Sequence, residues 1–190
     1  MDPVRPVLTD PAVLEALAHP VRLDVLNHLM SDGPATASVC ARAVGDTPSN
    51  CSYHLRVLAK HGLVEADASA DGRERPWRAT ITGFDTDDPA GDPGTPTARG
   101  AAAVLAASVQ LDQRLTREYL THRDEIPADW RDADTYATYT LRLAPAELAE
   151  LAQKLDSLIR PLISATRPDP PDDAELVHLG LVAFPRPSPR

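Results

Sequence analysis

No stretch of this 190-residue chain approaches the ~20 consecutive apolar residues of a membrane-spanning helix. The opening MDPVRPVLTD is polar and proline-rich, unlike a secretory signal. Those two absences predict a soluble, cytoplasmic protein. Thiols are scarce as well: the chain has two cysteines, Cys40 and Cys51. On buried helix faces in a reducing compartment such a pair reads first as packing and second as a redox switch. Catalytic signatures are missing, with no glycine-rich phosphate loop, nucleophile elbow or HExxH. No residue nominates itself for catalysis, so the reading is a protein that is not an enzyme and carries no cofactor. The six histidines are scattered, and none forms a ligand pair with a cysteine. Positive charge is short: 19 Lys and Arg stand against 28 Asp and Glu, for a net charge of −9. That is the wrong sign for holding nucleic acid by bulk charge alone.

Hydrophobic residues make up 43% of the chain, enough for a core. The organising stretch is TASVCARAVGDTPSNCSYHLRVLAKHG, residues 36–62. Val39, Cys40, Ala43 and Val44 form a stripe at helical spacing. Gly45-Asp46 breaks it. Thr47 then reads as an N-cap and Pro48 as the first helical residue, where a missing N–H costs nothing. Cys51, Leu55 and Leu58 fall on one face at i, i+4 and i+7. The other face carries Ser49, Asn50, Tyr53, Arg56 and Lys60, and residues 47–62 contain no acid. Gly62 predicts a left-handed stop, with Leu63 folded back onto Leu58. Helix, glycine-containing turn and capped helix make a helix-turn-helix pattern. Two packed helices without a DNA role remain the plain alternative.

The residues after Gly62 sharpen the pattern. LVEAD reads as a short strand, ASADGRER as a polar loop and PWRATI as a returning strand. The hairpin tip carries Asp71-Gly72, a tight-turn signal, with Arg73 and Arg75 beside it. Three segments in order, ALAHPVRLDVLNHL, SNCSYHLRVLAKHGLV and DGRERPWRA, resemble the winged-helix regulators of the ArsR type. The resemblance covers residues 10–81. It implies a dimeric transcription regulator, usually a repressor released by an effector, with its first helix helping to form the dimer. Metal sensors of that type carry Cys-x-Cys early in the third helix. The corresponding residues here are Thr36 and Ser38, and the last-helix candidates Asp112, His122 and Glu125 lack the expected grouping. Metal sensing is therefore disfavoured.

On this reading the partner is double-stranded DNA. Ser49, Asn50, Tyr53 and Arg56 are the candidate base readers, since Asn pairs bidentately with adenine and Arg with guanine. Thr47, Ser52 and Lys60 are candidate phosphate contacts, aided by the positive end of the helix. Arg73 and Arg75 would reach the minor groove or its phosphates. For each of them the plain alternative is a solvated surface residue. His54 could face a phosphate or pack beneath the helix. Trp77 reads as a core anchor rather than a stacking ring. The acid balance keeps one rival in view, a winged-helix protein-interaction module that does not bind DNA.

Around this unit, residues 1–9 read as a flexible arm. Asp10-Pro11 opens a short helix, and a second runs from about Pro20 to Met30 with Val21, Val25, Leu26, Leu29 and Met30 inward. FDTDDPAGDPGTPT reads as an acidic linker. A long helix from near Thr97 places Ala101, Leu105, Ser108, Leu111, Leu115 and Tyr119 on one stripe, so it needs a partner. That partner is its twin in a dimer or the C-terminal part of the same chain. TYATYTLRL alternates as a half-buried strand. Leu148, Leu151, Leu155, Leu158 and Leu162 mark a helix from about Pro145 that Pro161 ends. ELVHLGLVAF reads as a buried strand and PRPSPR as a disordered tail. This second half loosely resembles the C-terminal extension of larger relatives of the ArsR type. The expected fold is thus α+β, a mainly helical winged helix-turn-helix, a long linking or dimerisation helix and a small C-terminal α/β unit. The expected domains are 1-83, an 84-97 linker, and 98-190 as a dimerisation or effector unit. DNA would be read by helix 47-61 and wing 68-76, with an unknown small-molecule effector in play.

Overall fold

The computed structural model describes residues 5–67, 75–86 and 92–186. The wing tip with Arg73, much of the acidic linker, the first four residues and the last four lie outside the described residues. Four helices build the N-terminal part: α1 (Pro11–Leu17), α2 (Pro20–Ser31), α3 (Ala37–Val44) and α4 (Pro48–Lys60). Local chemistry sets their limits. Asp10 Oδ1 accepts from the backbone N–H of Ala12 at 2.8 Å, and Pro11 opens the helix behind it. Thr36 caps α3 through Val39 N–H at 3.3 Å. Gly45 ends α3 in the left-handed region (φ 70°, ψ 35°), where a side chain would strain the backbone. At the end of α4, Gly62 has φ 71°, and Leu63 N–H donates to Leu58 C=O at 3.1 Å, the expected Schellman closure.

The core joins these helices through Leu14, Leu17, Val25, Leu26, Leu29, Cys40, Cys51, Leu55 and Leu58. Leu23, which the inward set predicted for α2 omits, is also buried. So is Ala41, whereas Ala43, placed on the inner stripe of α3, is exposed. A one-residue rotation of so short a helix accounts for the exchange, because Gly45 fixes its end from the turn side.

Strands β1 (Val7–Leu8), β2 (Val64–Ala66), β3 (Trp77–Ala79) and β4 (Asp85–Thr86) form two small sheets. β2 and β3 are antiparallel, pairing Val64 with Ala79 and Ala66 with Trp77. Ala35 joins the other edge of β3, exchanging two backbone hydrogen bonds with Trp77 at 2.8 and 2.9 Å. Trp77 is half-buried against the core, the anchoring role expected of it. The arm is not wholly free: β1 pairs in parallel with β4, and the Arg5 guanidinium forks onto the Asp85 carboxylate at 2.9 and 3.0 Å. A bidentate pair of this kind holds two otherwise polar segments together.

The long helix α5 (Pro96–His122) is capped by Thr95, whose Oγ1 accepts from Ala98 N–H at 3.0 Å. It packs on α1 and α2 of its own chain. Its buried residues are Val104 and Ala107, while Leu105, placed on the inward stripe by spacing, is 54% exposed. The seam is set by Gly100, where an added Cβ would lie 2.7 Å from Leu14 Cβ, so the crossing needs glycine there. Arg114 Nη2 then meets Asp24 Oδ2 of α2 at 2.6 Å.

Beyond α5 come a 3-10 turn (Arg123–Glu125), α6 (Ala128–Ala133) and α7 (Pro145–Ile159), with two further 3-10 turns after α7. Pro161 falls in the 3-10 turn Arg160–Leu162 that closes α7, as its missing N–H requires. The two strands expected over 135–143 and 175–184 are not formed within the chain. Both segments are free of regular secondary structure and exposed along their length, and α7 has no buried residue among those described. A strand is defined by its ladder, and neither segment meets one among the described residues.

Candidate nucleic-acid interface

The α4 surface is fixed from beneath. Cys51, His54, Leu55 and Leu58 are buried, which turns Ser49, Asn50, Tyr53, Arg56 and Lys60 outward. All five are exposed, Tyr53 by 60%. Thr47 is exposed too and caps the helix through Asn50 N–H at 3.2 Å. Ser52 is half-buried on the flank. Neither Arg56 nor Lys60 forms an ion pair with a described residue. Arg75 is exposed at the end of the wing, just ahead of β3, and Arg73 lies outside the described residues. Arg78, on β3, adds no free positive charge, because it is engaged by Glu65 and, at 4.0 Å, by Asp67.

One acid escaped the sequence reading of this face. Asp46, just ahead of the cap, accepts from Thr47 N–H at 2.6 Å and from Asn50 Nδ2 at 3.0 Å. The Thr47 bond, then the Asn50 bond, holds its carboxyl below the usual range. Asn50 is therefore pre-oriented, with one amide N–H engaged by Asp46 and its second N–H and carbonyl oxygen left for a base edge. The spacing Asp46–Asn50, i to i+4 across a Thr-Pro cap, was the available signal.

His54 packs beneath the helix, 8% exposed. Its ring centroid lies 4.9 Å from that of His19, and its Nε2 lies 3.9 Å from Asp46 Oδ2. Its Nδ1 is buried without a hydrogen-bond partner among the described residues. Burial first, then His19 and Arg22, lowers its pKa below that of a free imidazole, with Asp46 opposing. The two cysteines are free and buried. Burial, with the neighbouring Cys51, pushes the Cys40 thiol up to about 11, and burial raises Cys51 as well. Thiolate chemistry is thus suppressed at both. Among the described residues no group of three or more His, Cys, Asp or Glu is placed to hold a metal ion, and no helix is long and apolar enough to cross a membrane.

This arrangement is a winged helix-turn-helix: α3, a glycine turn, an exposed capped helix, and a hairpin behind it. Residues 17–66 match a family described as a helix-turn-helix domain, inside the span that carries the ArsR-type resemblance. The match supports a DNA-binding transcriptional regulator. Among solved structures, the chain is similar to the homodimeric winged helix-turn-helix DNA-binding domain (fragment 1-100) of Mb0332 from Mycobacterium bovis, a possible ArsR-family transcriptional regulator. Identity is 26% over 56% of this chain and 81% of that one, with a TM-score of 0.34. No curated protein matches the chain.

Proposed function

We propose that this protein is a homodimeric transcription regulator of the ArsR type, a repressor that reads a palindromic operator. The observation that carries the reading is the exposed face of α4. Five polar side chains stand on a rigid helix whose own residues include no acid, and two of them are cations with no ion pair among the described residues. In a major groove the N-terminal residues of such a helix meet base edges, and two copies would span half-sites ~34 Å apart. Arg56 and Asn50 read bases, with Ser49 and Tyr53 beside them. Thr47, Ser52 and Lys60 hold phosphates, and the wing arginines Arg73 and Arg75 flank the groove. With a net charge of −9 the nonspecific term is weak, so binding depends on base contacts, and its fall with salt is set by the few cations that meet phosphates. An effector would act by favouring one dimer geometry over another.

The test is selection of genomic fragments by the purified protein, and then Arg56→Ala on the enriched site. A recurrent palindrome supports the reading. The variant should lose ~1–3 kcal/mol and relax preference at one position; unchanged affinity would remove Arg56 from the readout. The acid balance and the carboxylate of Asp46 at the helix N-terminus favour one second reading, a protein-interaction module. In that case a basic protein would be captured and no DNA fragment enriched.

A further inference from the structure

Most of the exposed large hydrophobic side chains among the described residues fall within residues 135–184. They include Tyr136 (93% exposed), Tyr139, Leu141 and Leu143 in the first extended segment, and Leu155, Leu158 and Leu162 on and just past α7. The second extended segment adds Leu176, Leu179, Leu181, Val182 and Phe184 among others. Together these side chains leave on the order of 1,000 Å² in contact with water, far more than singly scattered surface hydrophobics account for. The backbone is equally bare. Over 135–143 and 175–186 no backbone hydrogen bond to another described residue is formed. Two edge-like segments with alternating or continuous apolar side chains are templates for strand addition.

We infer that a second copy of this chain covers them: segment 135–143 of one copy pairs as a strand with segment 175–184 of the other, and α7 packs across the joint. Three observations select a second copy. The uncovered area per chain is of the order of the ~800 Å² that each partner brings to a stable interface, and its apolar character is that of a homodimer. The two segments are matched in length and opposite in charge. Arg142 is the sole formal charge of the first and Glu175 of the second, and neither has an ion-pair partner among the described residues. An antiparallel register that sets Arg142 opposite Glu175 also sets Leu141 opposite Leu176 and Tyr139 opposite His178 on one face, with Thr140 opposite Val177 and Thr138 opposite Leu179 on the other. Finally, the second segment is already docked on the long helix. His178 Nε2 meets Asp112 Oδ1 at 2.9 Å, and Val182 lines an open groove of about 460 Å³ with Val109, Thr116 and Leu120. The proposed sheet thus grows from a fixed edge, and it does not depend on whether α4 reads DNA.

The experiment is sedimentation equilibrium of the full chain with hydrogen exchange read at two concentrations. Wild type should be dimeric at micromolar concentration, with amides of 139–143 and 176–184 protected in the dimer and released on dilution. Leu179→Pro removes a ladder donor from a segment that is exposed in the single chain, and should weaken the dimer on the order of 100-fold while the N-terminal domain melts as before. Arg142→Glu should weaken it several-fold, and Glu175→Arg in the same chain should restore it. A monomeric wild type overturns the inference. So does a dimer in which these amides exchange freely, or protection that does not change with concentration. DNA selection is scored separately, so failure of the interface and failure of the operator reading are distinguishable.

Discussion

Replacing Gly45 by alanine isolates the cost of the turn between α3 and α4. The glycine has φ 70°, and an added Cβ would meet nothing within 4 Å, so no neighbour has to move. What remains is the backbone. An L-residue in the left-handed region costs ~1–2 kcal/mol, partly offset by ~0.4–1 kcal/mol from the stiffer unfolded chain. The net expectation is a loss of about 1 kcal/mol. Asparagine tolerates that region better, so Gly45→Asn should lose about half as much. With a urea slope of ~2 kcal/mol per M the alanine midpoint should fall by ~0.5 M at unchanged slope. Gly33→Ala is the internal control, since φ there is 88° and the space is also open. An alanine variant as stable as wild type, or an asparagine variant less stable than the alanine one, would refute the reasoning. In either case the turn would be relaxing rather than holding its left-handed geometry. The turn also carries the Asp46 N–H to Ala41 C=O bond at 2.9 Å, so the relaxation would tilt α4 against α3.

Three further predictions concern buried titratable groups and one cross-helix pair. His54 has a lowered pKa in the folded state. The unfolded chain therefore binds more protons below its ordinary value of about 6.5, and stability should fall as pH drops from there toward the folded value. In His54→Gln that slope should flatten in urea titrations across about pH 5 to 7, and an unchanged slope would acquit His54. Arg114→Ala strands Asp24, whose side chain is 13% exposed and whose pKa burial already raises against the pull of Arg114. Because Arg114 itself is partly solvated, a loss of ~1–2 kcal/mol is expected. A double-mutant cycle with Asp24→Asn should show coupling between the two, and strict additivity would deny the pair. Cys40 and Cys51 should resist alkylation at about pH 8 in the folded protein and react fully in urea, given thiol pKa values pushed upward by burial. Rapid native labelling would reopen the redox reading.

What was legible in the sequence is what short-range chemistry decides. Asp10-Pro11, Thr47-Pro48 and Gly62-Leu63 each write a helix boundary within a few residues, and each boundary falls where the local pattern puts it. The outward face of α4 follows from the same logic, because Cys51, Leu55 and Leu58 fix the inward one. Pairing at a distance was not legible. β1 lies in what reads as a free arm and β4 in what reads as a linker, and the Arg5–Asp85 fork ties them. The seam of α5 was misplaced because Leu105 is the more apolar choice, yet Gly100 against Leu14 and Arg114 against Asp24 rotate the helix to bury Val104 and Ala107.

The C-terminal segments carry the same contrast one step further. Alternation in TYATYTLRL and continuous apolarity in ELVHLGLVAF are statements about faces, and faces are encoded residue by residue. A ladder is a statement about a partner, and the single chain does not supply one among its described residues. The pattern was therefore informative about burial that the isolated chain does not achieve. The same mismatch makes the unit a stability determinant. If these leucines are buried only in a dimer, each contributes ~1.5–3 kcal/mol of transfer free energy to association rather than to folding. Stability of the C-terminal half should then rise with protein concentration, while melting of the core around Leu55 should not.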